Sequence, residues 1–195
     1  MSLILASGSA TRASLLRQAG VPFEQLRPPL DEEAEKARLR AQNLAPEAQA
    51  LALSAAKALS VEAPGAWVLG ADQMLSCEGA AFDKPADRAA ARRQLQALRG
   101  RSHTLETGAA LAHNGQIVWS ALARPCLRMR DFSDAFLDSY LDTLGEQALH
   151  SVGAYQAEGL GVQLFEAIDG EWYAVLGLPL LALLARLREA GLLTA

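Results

Sequence analysis

The sequence predicts an α/β domain: a mixed sheet with flanking helices. Two observations carry this. Short apolar runs alternate with segments of helical period along the whole chain, the pattern of strands interleaved with helices. One connector, "HNGQ", contains Asn114-Gly115, the strongest short hairpin signal, so at least one strand pair is antiparallel. The 195 residues suit a single domain over 1–195, or one domain in two lobes, with room for a real core.

The elements follow in order. Ser2–Ser7, "SLILAS", reads as a strand buried on both faces. Thr11–Ala19 reads as a helix closed by Gly20, with Leu15, Leu16 and Ala19 on one face. Arg27–Glu33 reads as a loop ending in an acidic cluster. Pro46–Leu59 is a helix with proline in its first turn. Trp67–Leu75, "WVLGADQML", is the best central strand, starting apolar and ending in polar residues. A helix follows over Ala86–Leu98, then a hairpin of His103–Leu111 and Gln116–Ala123. "CLRMR" adds a further strand, and Ser133–Leu144 is a helix with Ser133 as N-cap and Gly145 as stop. "GAYQAEGLG" is a glycine-rich loop. The last helix, Leu180–Ala190, places Leu180, Leu183, Leu184 and Leu187 on a core face.

Composition narrows the function classes. Half the residues (51%) are hydrophobic and 21% are charged, which is ordinary for a globular protein. A net charge of -4 argues against a nucleic-acid partner, so any basic site must be local. Cys77 and Cys126 lack metal-ligand spacing and read as buried free thiols. The histidines show no HExxH-like spacing and read as structural or exposed, and there is no GxSxG elbow. With no basic leader before an apolar run and no apolar run long enough to span a bilayer, the expectation is a cytoplasmic protein with no membrane partner.

Several residues can carry chemistry. "LASGSATRASLL", Leu5–Leu16, runs from a strand through small residues into a helix start, where free N–H groups and a positive dipole end attract phosphate. Ser7 and Ser9 can add hydroxyls, and Arg12 a two-pronged guanidinium. Neither GxxxxGK[ST] nor GxGxxG is present, and on the local sequence alone an ordinary helix capped by Ser9, with Arg12 solvated, is the favoured reading. Asp72 ends an apolar strand, which is where ligands bind in open α/β sheets, and can hold a divalent metal, activate water, or merely cap a turn. Gln73 beside it can read a base edge or face outward. Lys57, among alanines, and Lys84, stiffened by Pro85, are cation candidates on a background of ordinary surface lysines. One member of the acidic run Asp31-Glu32-Glu33 can be a metal ligand, although such runs are usually solvated.

In order, "LASGSATRASLL", "LDEE", "AAKAL", "LGADQ", "DKP", "LRGRSH", "GAYQAEGLG" and "VLGLPL" resemble the Maf family of nucleoside triphosphate pyrophosphatases over Leu3–Gly191. The resemblance implies an elongated, two-lobed fold like that of inosine triphosphate pyrophosphatases, with a central cleft. It implies hydrolysis of a nucleoside triphosphate to the monophosphate and pyrophosphate with a divalent cation, Mg2+ or Mn2+. Ser7, Ser9 and Arg12 match the family's opening motif, with Ala10 in place of its proline and Thr11 where many members carry an arginine. Glu32 takes the place of the family glutamate, and Lys57, Asp72 and Lys84 match its polar cleft residues, Asp72 as proton acceptor. On this reading Asp72 and Glu32 hold the metal, and Ser7, Ser9, Arg12, Lys57 and Lys84 bind the triphosphate.

Substrate choice falls to Thr11, Gln73 and Glu158. Gln73 and Glu158 resemble the branch acting on 7-methyl-GTP rather than the branch cleaving dTTP and UTP, while Thr11 fits neither. A carboxylate accepts from guanine's ring N–H and exocyclic amine and attracts a cationic methylated base, whereas thymine and uracil flank one N–H with two carbonyls. A salt bridge to a neighbour is the plainer role for Glu158. The alternatives are dTTP/UTP hydrolysis, a nucleotide-binding regulator of septum formation and cell division, and a generic phosphohydrolase. A homodimer is a further expectation.

Overall fold

A computed structural model describes residues 2–194. One mixed sheet organises the chain. Its strands are β1 (Leu3–Ala6), β2 (Glu24–Leu26), β3 (Trp67–Cys77), β4 (Ala80–Phe82), β5 (Ser102–His113), β6 (Gln116–Ala123), β7 (Cys126–Met129) and β8 (Phe165–Asp169). The main path runs β2-β1-β3-β5-β7-β8, with β4 also on β3 and β6 also on β5. β1 is parallel to β2 and β3, and every other pairing is antiparallel. Around the sheet lie α1 (Ala10–Gln18), α2 (Glu32–Ala41), α3 (Pro46–Leu59), α4 (Arg88–Leu98), α5 (Asp134–Leu144), α6 (Trp172–Val175) and α7 (Leu180–Glu189). Three 3-10 turns fill much of 145–164.

β3 and β5 are the two long strands, and each is shared by two halves of the molecule. The outer edge of β3 pairs with β1 over Trp67–Gly70 and with β4 over Leu75–Cys77. β5 likewise pairs with β6 from Thr107 onward and with β7 over Ser102–Thr104. The cores divide at the same level. Leu69, Ala71, Ala109 and Leu111 pack with residues of α1 and α7. Leu75, Cys77 and Leu105 pack with residues of α4 and α5. The result is two lobes joined by one strand pair, with Asp72, Gln73 and Thr107 at the seam.

Several expectations need correction. Asp72 does not end its strand: β3 continues to Cys77 because Met74, Leu75 and Cys77 are buried and β5 stays paired through Ser76. The polar residues Asp72 and Gln73 mark a seam between two cores, not a strand terminus. The acidic stretch is no loop end, since Asp31 caps α2 by accepting from the Ala34 N–H at 3.0 Å. Three glutamates in its first turn and two arginines in its last complement the helix dipole. Leu39 is its one buried residue, so no apolar periodicity announced it. The fourth helix begins at Arg88, capped by Asp87. β2, β4, β8 and α6 are too short or too exposed to carry a pattern. Both cysteines are free, Cys77 buried and Cys126 only partly so. Leu184 is only partly buried beside Leu180, Leu183 and Leu187. Among the described residues no helix is long and apolar enough to cross a membrane.

Candidate active site

α3 brings the first charge to the seam. Its buried face recurs at helical spacing through Ala50, Leu53, Ser54, Lys57 and Ala58, so Lys57 is a lysine in phase with a buried stripe. That phase was legible in the sequence and distinguishes Lys57 from a surface lysine. α3 lies unusually close to the sheet because Gly70 and Gly108 face it. A Cβ on Gly108 would stand 2.8 Å from the Ala50 carbonyl oxygen, and one on Gly70 would strike the Ser54 carbonyl oxygen. One residue pair further along β3, Asp72 takes the same face as Gly70 and meets Lys57.

Lys57 Nζ lies 2.7 Å from Asp72 Oδ1 and 2.8 Å from Glu32 Oε2. Lys57 and Asp72 are both buried, while the Glu32 side chain is 42% exposed. Burial opposes the charge on Glu32, but the hydrogen bond from Lys57 and the charges of Lys57, Lys36 and Lys84 outweigh it and hold its pKa below the usual carboxylate value. One ammonium thus serves two acids. Asp72 Oδ2 and Glu32 Oε1 have no hydrogen-bond or ion-pair partner among the described residues.

The opening stretch closes the other side. Ser9 is the N-cap of α1, accepting from the Arg12 N–H at 3.3 Å, as its position predicts. The Ser7 hydroxyl oxygen accepts from the Ser9 N–H at 3.2 Å and from Arg12 at 3.3 Å. The first-turn N–H groups of Ala10 and Thr11 have no partner among the described residues. Arg12 does more than the sequence suggested. Its Nε donates to the Gly177 carbonyl at 2.9 Å, and its Nη1 donates to the Ala71 carbonyl at 2.9 Å. Burial pushes the guanidinium below its ordinary pKa, against the pull of Asp72 and Glu32. Arg12 therefore ties α1, β3 and the entry to α7 together, and its Nη2 has no hydrogen-bond acceptor among the described residues.

Lys84 is exposed and forms no ion pair among the described residues. Desolvation, then the positive charges of Arg12, Lys36 and Lys57, push its ammonium below its usual pKa, with Glu32 opposing. Next to it, Asp83 binds Arg40 of α2 through both oxygens at 2.7 Å, which brings α2 and its Glu32 against the seam. The charges of Asp72, Glu32, Lys57, Arg12 and Lys84, which come from five separate sequence motifs, thus act on one another.

The three specificity candidates are not brought together in the same way. The Gln73 amide nitrogen donates to the Thr107 hydroxyl at 2.9 Å and to the Ala174 and Val175 carbonyls at 2.8 and 3.2 Å. It is neither outward-facing nor free to read a base through that nitrogen. The Thr11 hydroxyl makes no hydrogen bond among the described residues, and Glu158 is exposed on the 155–159 loop without an ion pair there. His103, expected to be structural or exposed, is buried against the Tyr155 hydroxyl at 2.8 Å. Two hollows of 390 and 450 Å³ lie elsewhere, beside Val68 and Ala112 and beside Leu26 and Arg27.

Sequence fragments missed Glu106, a fully buried carboxylate on the same sheet face as Asp72. It binds Arg124 at 2.7 and 3.1 Å and accepts from Ser76 at 3.0 Å. A charge among apolar strand residues was its only signal.

A family model described as Maf-like protein matches residues 2–190. A nucleoside triphosphate pyrophosphatase of Paramagnetospirillum magneticum is 50% identical over 190 residues, covering 96% of this chain and 98% of that one. One of the same name from Rhodospirillum rubrum is 47% identical over 193 residues, 98% and 96% of the two chains. A 7-methyl-GTP pyrophosphatase of Brucella abortus is 45% identical over 191 residues, 97% and 96% of the two chains. With a family match over almost its whole length and an α/β mixed sheet folded around the matched motifs, this chain belongs to the Maf-like family.

Proposed function

We propose that the protein is a nucleoside triphosphate pyrophosphatase, converting its substrate to the monophosphate and pyrophosphate in a house-cleaning role in the cytoplasm. The observation that carries this is the sharing of Lys57 between Asp72 and Glu32, beside a helix start with two N–H groups that have no partner among the described residues. The names of the relatives from P. magneticum and R. rubrum support the same activity.

A divalent cation fits the two acids. Magnesium is bound by one or two carboxylates together with substrate phosphates and water, and each acid keeps one oxygen without a protein partner. When bound by Asp72 and Glu32, Mg2+ or Mn2+ would polarise the phosphate oxygens and lower the pKa of water. Lys57 would neutralise the acids before substrate arrives and a phosphate oxygen afterwards. Lys84 and the Ala10 and Thr11 N–H groups would bind further phosphate oxygens, with Ser7, Ser9 and Arg12 holding the loop in shape. Asp72 would orient the attacking water and accept its proton.

Within this activity, a 7-methyl-GTP-like substrate is favoured by Gln73 and by Glu158, whose carboxylate is not spent on an ion pair among the described residues. The name of the Brucella relative points the same way. The test is a panel of canonical and modified triphosphates with magnesium, scored for pyrophosphate, using the parent protein and Asp72→Asn. Loss of more than about 100-fold in turnover with an unchanged fold is expected for the variant. Near-parental turnover would sink the role of Asp72, and a preference for dTTP or UTP would sink the guanine reading.

A further inference from the structure

We propose that Lys36 of α2 binds the terminal, pyrophosphate half of the substrate, an inference that rests on the pyrophosphatase reading above. Lys36 lies outside the sequence motifs that supplied Lys57 and Lys84. Its basis is the face of α2 on which it stands. The inward side of that helix recurs at Glu32, Glu35, Lys36 and Leu39, which is helical spacing. Glu32 and Lys36 are four residues apart, so they stand one turn from each other on the same face.

The Lys36 side chain is only 20% exposed, whereas Glu33, its hydrogen-bond partner at 2.9 Å, is 79% exposed. An ion pair along a helix forms equally well with both side chains in water, so Glu33 does not explain a lysine drawn inward. What Lys36 approaches is Asp83, at 4.0 Å. That carboxylate is already held by Arg40 through both oxygens at 2.7 Å. Of the three N–H groups on the Lys36 ammonium, only the one given to Glu33 has a hydrogen-bond acceptor among the described residues.

The charges around Lys36 are those of the site. Burial opposes its charge, but the hydrogen bond and charge of Glu33, then the charges of Asp83 and Asp72, outweigh it and hold its pKa above the usual lysine value. Lys36 in turn stabilises the charged form of Glu32 and opposes the charge on Lys84, the residue after Asp83. Two ammoniums thus repel each other beside the two acids, and among the described residues Lys84 has no ion pair. Both have N–H groups to give, and an anion between them would relieve the repulsion. The two ends of a triphosphate differ in this respect. Its nucleoside end is one ester phosphate on an uncharged sugar and base, while its terminal two phosphates carry most of the charge. A pair of lysines one turn beyond Glu32 fits the terminal half.

The experiment is isothermal titration calorimetry with magnesium present. Inorganic pyrophosphate and GMP are titrated into the parent protein, Lys36→Met, Lys36→Gln and Lys36→Arg, with urea unfolding to confirm that each is folded. Either neutral variant is expected to weaken pyrophosphate binding by about tenfold or more, the worth of one charge-assisted hydrogen bond, and to change GMP binding less than about twofold. Lys36→Arg keeps the charge and should stay within about threefold of the parent for pyrophosphate. Unchanged pyrophosphate binding in the neutral variants would overturn the assignment. Equal weakening of both probes would also overturn it, by showing that Lys36 only holds α2 and Glu32 in place. A loss in Lys36→Arg as large as in Lys36→Met would refute the role of its charge. A parent protein that binds neither probe would instead overturn the pyrophosphatase reading itself, and this inference with it.

Discussion

Two ionic clusters occupy the same face of the β3–β5 pair, and they are built on opposite plans. At the seam, one buried lysine serves two carboxylates and leaves an oxygen of each without a partner among the described residues. Further along, Glu106 is fully buried and satisfied by Arg124 and Ser76, with Arg124 half in water. Among its three side chains the first cluster leaves one negative charge and two acceptor oxygens uncompensated. The second is neutral and complete, which suits a strut between β5 and the end of β6. Burial alone therefore does not mark a functional charge; unspent hydrogen-bonding capacity does.

The sharpest way to break the contrast is Lys57→Met. It leaves Asp72 buried without its counter-ion and costs about 3 kcal/mol of folding free energy, measured by urea unfolding at neutral pH. The deficit should shrink on adding Asp72→Asn, which removes the stranded charge. A Lys57→Met protein as stable as the parent would refute the shared-lysine arrangement.

Another ionisable group, His103 on β5, is neither shared nor paired with a charge. Burial pushes the His103 imidazole down to about 4. A lowered basic pKa means the unfolded chain binds the proton first, so His103 contributes stability that is complete above its ordinary value of 6.5 and lost as pH falls toward 4. The loss is about 3 kcal/mol at most. His103→Gln should flatten that part of the pH–stability curve, and an unchanged slope would count against the buried neutral imidazole. Glu32 adds a loss in the same direction at lower pH, as pH falls through its depressed pKa.

Gly70→Ala probes how the seam cluster is positioned. Its new Cβ would strike the Ser54 carbonyl oxygen and stand 2.6 Å from the Ala58 nitrogen, so α3 must move outward and carry Lys57 away from Asp72. Stability should fall by about 1–3 kcal/mol and turnover should fall with it. Parental turnover would show that close helix–sheet approach is not what sets the Lys57–Asp72 distance.

The strut is expected to have the smallest effect on turnover. Arg124→Ala strands a buried carboxylate, whereas Glu106→Gln leaves an arginine that can turn to water. The first should cost about 2–3 kcal/mol and the second about 1 kcal/mol, with turnover per folded molecule unchanged in both. A selective loss of turnover in Glu106→Gln would move Glu106 into the site.

Legibility in the sequence followed local physics. β1, α3, the β5–β6 hairpin and α5 were readable because each has an apolar period, a cap or an Asn-Gly turn of its own. α2 was not, because its stability comes from charge complementarity at its ends and from ion pairs to Asp83 and Lys57. Asp72, Lys57, Glu32, Arg12 and Lys84 were named from short motifs, but Gln73, read as facing a base or outward, spends its side-chain nitrogen on Thr107 and α6.

By itself, the sequence determined the alternation of strands and helices, the capped start of α1 and the identity of the charged residues, since these depend on neighbours a few positions apart. Only the tertiary structure decided that Asp72 lies at a seam between two cores, that one lysine serves two acids, and that β3 changes partner between Gly70 and Leu75. Those facts depend on where β1 stops and β4 begins along a third strand, and that register is fixed by contacts between segments far apart in the chain.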